Sequence, residues 1–187
     1  MERRRKVLFG AVLVALAVSV AGLLHGRLEA ARPVYEQIES AVRDSDRDYK
    51  QLLHVHVDAE HTLVFYETLK EELSVVTLDK SATGFKLREY INKQPMYTDK
   101  DISWTGTQRP DDIYLLFGTV LNPLVTQVIV VSEGGQPARI AEQGGRKIWY
   151  YKADGHLQAP ITLRAFDKDG NRLYEWGDPA YWEDAGN

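Results

Sequence analysis

Apolar and polar positions along the chain change their period twice. From Val7 to Leu24, VLFGAVLVALAVSVAGLL carries no charge over 18 positions. That is enough for one helix to cross the roughly 30 Å hydrocarbon layer at about 1.5 Å per residue. From Pro33, PVYEQIESAVRDSDRDYKQLL sets Val34, Ile38, Ala41 and Val42 at helical spacing, and proline suits a first turn, where its missing N–H has no partner anyway. The spacing predicts a juxtamembrane helix over 33–43, reaching Tyr49 at its furthest. Tyr35, Ile38, Val42 and Tyr49 would serve either packing on the domain or a self-associating stalk, and packing is the better fit because two interrupted heptads do not make a coiled coil.

Beyond Leu52 the pattern turns to short β-branched and aromatic runs. LLHVHV, TLVFYET, LSVVTL and GFKLREYI are separated by DAEH, LKEE and DKSAT, as in an antiparallel meander with tight turns. The polar stretch NKQPMYTDKDISWTGTQRPDD, broken by Pro95, Gly106 and Pro110, is the best internal boundary. After it, IYLLFGTVL, TQVIVVSEGG, ARIAEQGG, RKIWYYKADG, APITLRAF and NRLYEW recur at intervals of roughly ten residues, the spacing of a small β-sandwich. The expected class is mainly β with an α+β start: a transmembrane helix, a juxtamembrane helix, a meander, then a sandwich. The corresponding segments are 1–25, 26–106 and 107–187.

Charge decides sidedness. Arg3, Arg4, Arg5 and Lys6 precede the apolar run, so by the positive-inside rule they stay in the cytoplasm and everything after Leu24 lies outside. A cleaved signal peptide competes with an anchor, since Ser19-Val20-Ala21 offers a small-x-small site. The run is longer than the roughly 7 to 15 residues of a signal core, which favours the anchor. Of 23 basic and 27 acidic residues, the first six positions hold four and one, leaving 19 and 26 and a net charge of −7 outside. An acidic domain without a basic stripe excludes nucleic acid as a partner. The absence of cysteine excludes disulfides, a thiol nucleophile and Cys-based zinc sites.

Three groups of residues invite chemistry. HVHVDAEH places His54, His56 and Asp58 on one side of a strand, and a hairpin turn at Ala59-Glu60 sets Asp58 opposite His61, His56 opposite Leu63 and His54 opposite Phe65. Two histidines two residues apart can share a metal if a third ligand arrives. The simpler expectation is a solvent-facing strand side, with Asp58 and His61 closing a turn. Asp167-Lys168-Asp169-Gly170-Asn171 has glycine fourth where an EF-hand has it sixth, so a hairpin turn is expected and calcium is not.

Among aromatics, Trp149, Tyr150 and Tyr151 share a strand, while Tyr174, Trp176, Tyr181 and Trp182 crowd the C-terminus. Such rings either fill a core or stack on sugar faces and partner proteins, and Trp176, Tyr181 and Trp182 are the candidates for the second role. No G-x-S-x-G elbow and no phosphate-binding glycine loop occurs. Carboxylates such as Glu67 and Glu72 have no local setting that marks them as a glycosidase pair. The chain is therefore not expected to be an enzyme, and no cofactor is expected.

LVFYE, a following Gly-Phe-Lys, YLLFGTVLNP, KIWYY and ITLRAFDKDGNRLYEW together resemble a loose group of uncharacterised single-pass proteins of Gram-positive bacteria with an exported β-rich domain. The likeness spans most of Leu63 to Trp176 and implies a location without implying an activity. The final ITLRAFDKDGNRLYEW is also similar to the last hairpin of immunoglobulin-like and fibronectin-like folds. The expected function is binding or scaffolding at the cell envelope, with an envelope protein as partner. A cell-wall glycan module using Trp176, Tyr181 and Trp182 is the first alternative, and a metal-dependent activity at His54 and His56 is the second.

Overall fold

Two strands that are buried at every position locate the core. Thr62–Thr68 and Ile113–Thr119 are buried at all seven residues each, a pattern that a strand shows when both of its faces are covered. The computed structural model describes residues 33–109 and 113–184. The membrane span expected at 7–24 lies outside them, and among the described residues no helix is long and apolar enough to cross a membrane.

The described residues divide into two compact units. The smaller comprises residues up to Arg47 together with Leu78–Arg88. It contains helix α1 (Val34–Ser45), two residues longer at its C-terminus than the spacing predicts. Ser45 Oγ donates to the Ala41 carbonyl at 2.7 Å, and the Asp46 N–H to that of Val42 at 2.9 Å, which closes the last turn. Ile38 and Val42 are buried as expected, but Val34 is 57% exposed. The apolar stripe is therefore narrower than the sequence suggested, and its two central members are already covered within the chain, which argues against a stalk.

The larger unit, residues 48–77 and 89–184, is built on three antiparallel sheets. The first is the expected meander β1-β2-β3-β4, from Tyr49–Val57, Thr62–Thr68, Glu72–Ser81 and Gly84–Pro95, whose outer hairpin runs into the smaller unit. The second has the order β5-β6-β10-β9, from Thr105–Arg109, Ile113–Thr119, Arg146–Ala153 and Arg139–Gln143. The third has the order β12-β11-β7-β8, from Arg172–Trp176, Leu163–Phe166, Gln127–Val130 and Gln136–Pro137.

Side chains alternate across a strand, and β6 and β10 use both sides. Ile113, Leu115, Phe117, Ile148 and Tyr150 join Leu53, Leu63, Phe65, Leu73 and Val75 of the first sheet in one core. Tyr114, Leu116 and Trp149 join Val128, Val130, Leu163 and Ala165 of the third sheet in another. The second sheet is thus the middle layer of three. The sandwich expected for the second half of the chain exists, and the meander adds a further layer to it. β5, within the polar stretch whose composition marks a boundary, is instead an edge strand that pairs with β6 from Thr105 opposite Phe117 to Arg109 opposite Ile113.

The last hairpin behaves as a turn. Asp167 accepts from the N–H groups of Asp169 and Asn171 at 2.9 and 2.8 Å and from the Asn171 amide at 2.9 Å, with Gly170 at φ +84°. Those donors spend the carboxylate on shaping the loop.

Candidate functional site

An aromatic cleft of about 380 Å³ opens beside the end of β4 and the strand β12. Its floor is rigid. Ser103 is held by four bonds: its N–H donates to the Thr119 carbonyl at 3.0 Å, its hydroxyl meets Thr119 Oγ1 at 2.7 Å and accepts from the Thr119 N–H at 2.9 Å, and its carbonyl accepts from Trp149 Nε1 at 2.9 Å. Thr119 Oγ1 also reaches the Met96 carbonyl at 2.8 Å, and Gln94 donates to the Phe117 carbonyl at 3.2 Å. A fully bonded buried polar network of this kind fixes its members in one arrangement.

The walls are aromatic and partly open. Tyr174 and Trp176 are two apart on β12 and so share a face. Trp104 meets Trp176 edge to face with ring centres 5.6 Å apart, the arrangement that ring quadrupoles favour. The Trp104 indole hydrogen-bonds the Tyr174 phenol; burial, helped by the charge of Asp101, nevertheless pushes that phenol above its usual range, so it stays protonated. Lys100 Nζ lies 4.8 Å above the Trp176 ring, and Tyr97 on the rim carries the Arg146 guanidinium at 5.5 Å. Trp176 remains 42% exposed beside these contacts.

Of the three aromatic candidates read from the sequence, Trp176 stands in this cleft. Tyr181 and Trp182 meet edge to face with ring centres 4.9 Å apart, and Trp182 Nε1 donates to the Pro160 carbonyl and Thr162 Oγ1 at 3.2 and 3.1 Å; neither lines the cleft. Trp104, Tyr97 and Lys100 are hidden from a reading of the sequence by the polar stretch that holds them. Two large aromatics among its turn residues were the available signal.

Arg146 is anchored from below by Glu67, whose side chain is wholly buried in β2. Lys50 donates to it at 2.8 Å, Gln51 at 2.6 Å, and Arg146 at 3.2 and 3.3 Å. Burial alone would raise its pKa, but the bonds from Lys50, Arg146 and Gln51 outweigh that and hold the carboxyl below the usual range. An anion so held is a strut, and it has no proton to give at neutral pH.

The histidine hairpin has the register read from the sequence, with His54 opposite Phe65, His56 opposite Leu63, and the Asp58 N–H donating to the His61 carbonyl. Its facing is the reverse of the expected one. His54 and His56 point at the middle sheet, where both rings pack on Tyr150 at 5.2 and 5.5 Å, while Val57 is 64% exposed. A bulge between Leu52 and His54 changes the phase of β1.

The tautomers follow from donor counting. Arg139 has only N–H groups to offer His56 Nδ1, at 3.5 Å, so that nitrogen is an acceptor and the ring proton is on Nε2, 3.4 Å from Asp58 Oδ2. Tyr150 Oη therefore donates to His56 Nδ1 at 3.3 Å and accepts from His54 Nε2 at 3.0 Å. No set of three histidine, aspartate or glutamate side chains gathers as a metal site among the described residues. The pair that suggested a metal is joined instead through a phenol.

Burial lowers both imidazole pKa values, assisted for His54 by His56 and Arg139, and for His56 by Arg139 against the opposing pull of Asp58. A base whose folded pKa is depressed stabilises the fold above its unfolded pKa of about 6.5, and the contribution fades as pH falls below that value. Asp58 does not confuse the window: burial opposes it, but the N–H groups of Glu60 and His61 and the Lys152 ammonium hold its carboxyl well below the usual range. Unfolding free energy is expected to fall between pH 6.5 and 5 by at most about 1.4 kcal/mol per pH unit per imidazole. Urea titrations of the chain and of a His54→Gln/His56→Gln variant check this. The variant's curve should be flatter in that window, and parallel curves would show that the rings are not held neutral.

Compared with models of protein families, with curated proteins and with solved structures, the chain matches none of them.

Proposed function

We propose that this chain is a membrane-anchored binding protein of the cell envelope, held by residues 7–24 with its β-rich part outside the cytoplasm, and that its ligand occupies the Trp104–Trp176 cleft. One observation carries the reading: a pre-built floor around Ser103 under a half-open wall of Trp104, Tyr174 and Trp176. Apolar walls with a few fixed polar groups, in a hollow of several hundred cubic ångströms, are the common form of a small-ligand site. Planar rings beside a phenol, an amide and an ammonium suit a sugar, whose C–H faces stack on aromatics while its hydroxyls take the polar groups. Cell-wall glycan is the sugar polymer within reach of a protein so anchored.

The test is co-sedimentation with purified cell wall. Trp176 is exposed enough to remove without unfolding the chain. Trp176→Ala is expected to weaken binding about thirtyfold, the loss of about 2 kcal/mol typical of a tryptophan anchor. Tyr181→Ala, outside the cleft, should bind as the parent does. A parent chain that stays in the supernatant, or a Trp176→Ala variant that sediments normally, rejects the glycan reading.

A further inference from the structure

An acidic chain gathers two of its cationic groups, Arg139 and Lys152, in one hollow where β1, β8, β9 and β10 meet. We propose that the concavity lined by His56, Pro137, Arg139, Tyr150, Tyr151 and Lys152 binds a phosphate group, free or carried on a lipid headgroup. This goes beyond the glycan reading and uses none of its residues.

The hollow has a volume of about 220 Å³, enough for one tetrahedral oxyanion with water. Arg139 and Lys152 enter it from β9 and β10, and His56 comes from β1. A guanidinium offers a planar fork of donors and an ammonium a compact charge, the two cation types that oxyanion sites draw on. The Tyr150 hydroxyl is already placed between two imidazoles and turns its proton to a third acceptor at little cost. Of the nearby anions, Asp58 is engaged by Lys152 at 3.1 Å and by the Glu60 and His61 N–H groups at 2.9 and 2.7 Å, while Glu133 and Asp154 act on the Tyr151 side of the hollow.

The histidines make the site proton-coupled. The charged and titratable groups that face them are Asp58 from the turn after β1, Arg139 from β9, and Tyr150 and Lys152 from β10. In the free protein, burial and Arg139 keep the rings neutral. An incoming dianion offsets the Arg139 and Lys152 charges and favours the imidazolium, so anion binding takes up protons and tightens as pH falls.

Sulfate is the cleaner probe of this linkage, because it stays a dianion over the range in which imidazoles titrate. Calorimetric titration of the full chain with sulfate, at constant ionic strength set by chloride, is expected to show one saturable site about tenfold tighter at pH 5.5 than at pH 7.5. Arg139→Gln and Lys152→Gln should each abolish it, and His56→Gln should leave weak binding without the pH dependence. Arg139 is exposed, so its replacement leaves the fold intact and keeps the test decisive.

A parallel arm measures binding to phosphatidylcholine vesicles with and without phosphatidylglycerol. Sulfate binding without an Arg139-dependent preference for phosphatidylglycerol assigns the site to free phosphate compounds. An Arg139-dependent preference for phosphatidylglycerol assigns it to lipid. Absence of both, or binding indifferent to Arg139→Gln and Lys152→Gln, overturns the proposal.

Discussion

Replacing Gly118 by alanine is expected to cost about 4 kcal/mol of stability, a size reached only when a packed backbone is forced to move. Gly118 sits in β6 opposite Trp149 of β10. A Cβ built there would lie 1.8 Å from the Ser103 carbonyl oxygen, 2.6 Å from its carbon and 2.8 Å from Trp149 Nε1. Two of those atoms are backbone, so no rotamer relieves the clash. The strand must part from residues 102–104, which breaks the Trp149–Ser103 bond and strands a buried indole N–H, itself worth about 1–3 kcal/mol. For a chain of this length that corresponds to a melting temperature lower by about 8–16 °C. Calorimetry or near-ultraviolet circular dichroism of Gly118→Ala measures it. A shift under about 3 °C would mean that the Ser103 contact is not as tight as the structure has it. Because Ser103 floors the aromatic cleft, the surviving folded fraction should also lose the cell-wall binding proposed above.

Removing the buried carboxylate has the second-largest expected effect. Glu67→Ala leaves Lys50, Arg146 and Gln51 converging on an empty place and is expected to cost about 3 kcal/mol, at the low end for a broken buried pair because Lys50 and Arg146 reach solvent. Urea denaturation of Glu67→Ala, Arg146→Ala and the double variant gives the coupling directly. It should reach at least about 1 kcal/mol, and additive losses would reduce the cluster to unrelated contacts.

The pH sign is fixed by the same geometry. A carboxyl with a lowered folded pKa stabilises the fold above its unfolded value and loses that contribution as pH falls through the folded value. The stability of the parent chain should therefore drop below about pH 4.5 more steeply than that of Glu67→Ala. Glu67→Ala also frees Arg146 from below Tyr97, which loosens one lip of the cleft without touching its floor.

What was legible in the sequence was mostly local. The helix, the meander and nearly all strands followed from spacing, and the His54 hairpin kept its register because Asp58 closes the turn with its own carboxylate, a device contained in four residues. Which face of that hairpin is inward was not legible. It depends on a bulge at Leu52–His54 and on Tyr150, which lies 96 residues from His54 along the chain.

The same holds for the site. Trp176 stood out in an aromatic cluster, but its neighbour across the cleft, Trp104, comes from a segment whose strand, TGTQR, has two threonines and no large apolar residue and is held by the backbone bonds that β6 offers it. Gly118 inside an apolar run was a readable sign of close backbone approach, although only the fold shows that the approaching group is Ser103.

The middle sheet also bears on how the sequence can drift. In β4, exposed and half-buried positions alternate along Lys86–Tyr90, and a substitution at every second residue there meets water. In β6 every side chain from Ile113 to Thr119 meets another layer, so no position there is silent and a change on one face must be matched in a different sheet from a change on the next. Neutral variation should therefore accumulate in the outer hairpin and leave the strand under Ser103 nearly frozen. Distant relatives of this chain would then be recognised by that short apolar run and its glycine well before the rest of the chain aligns.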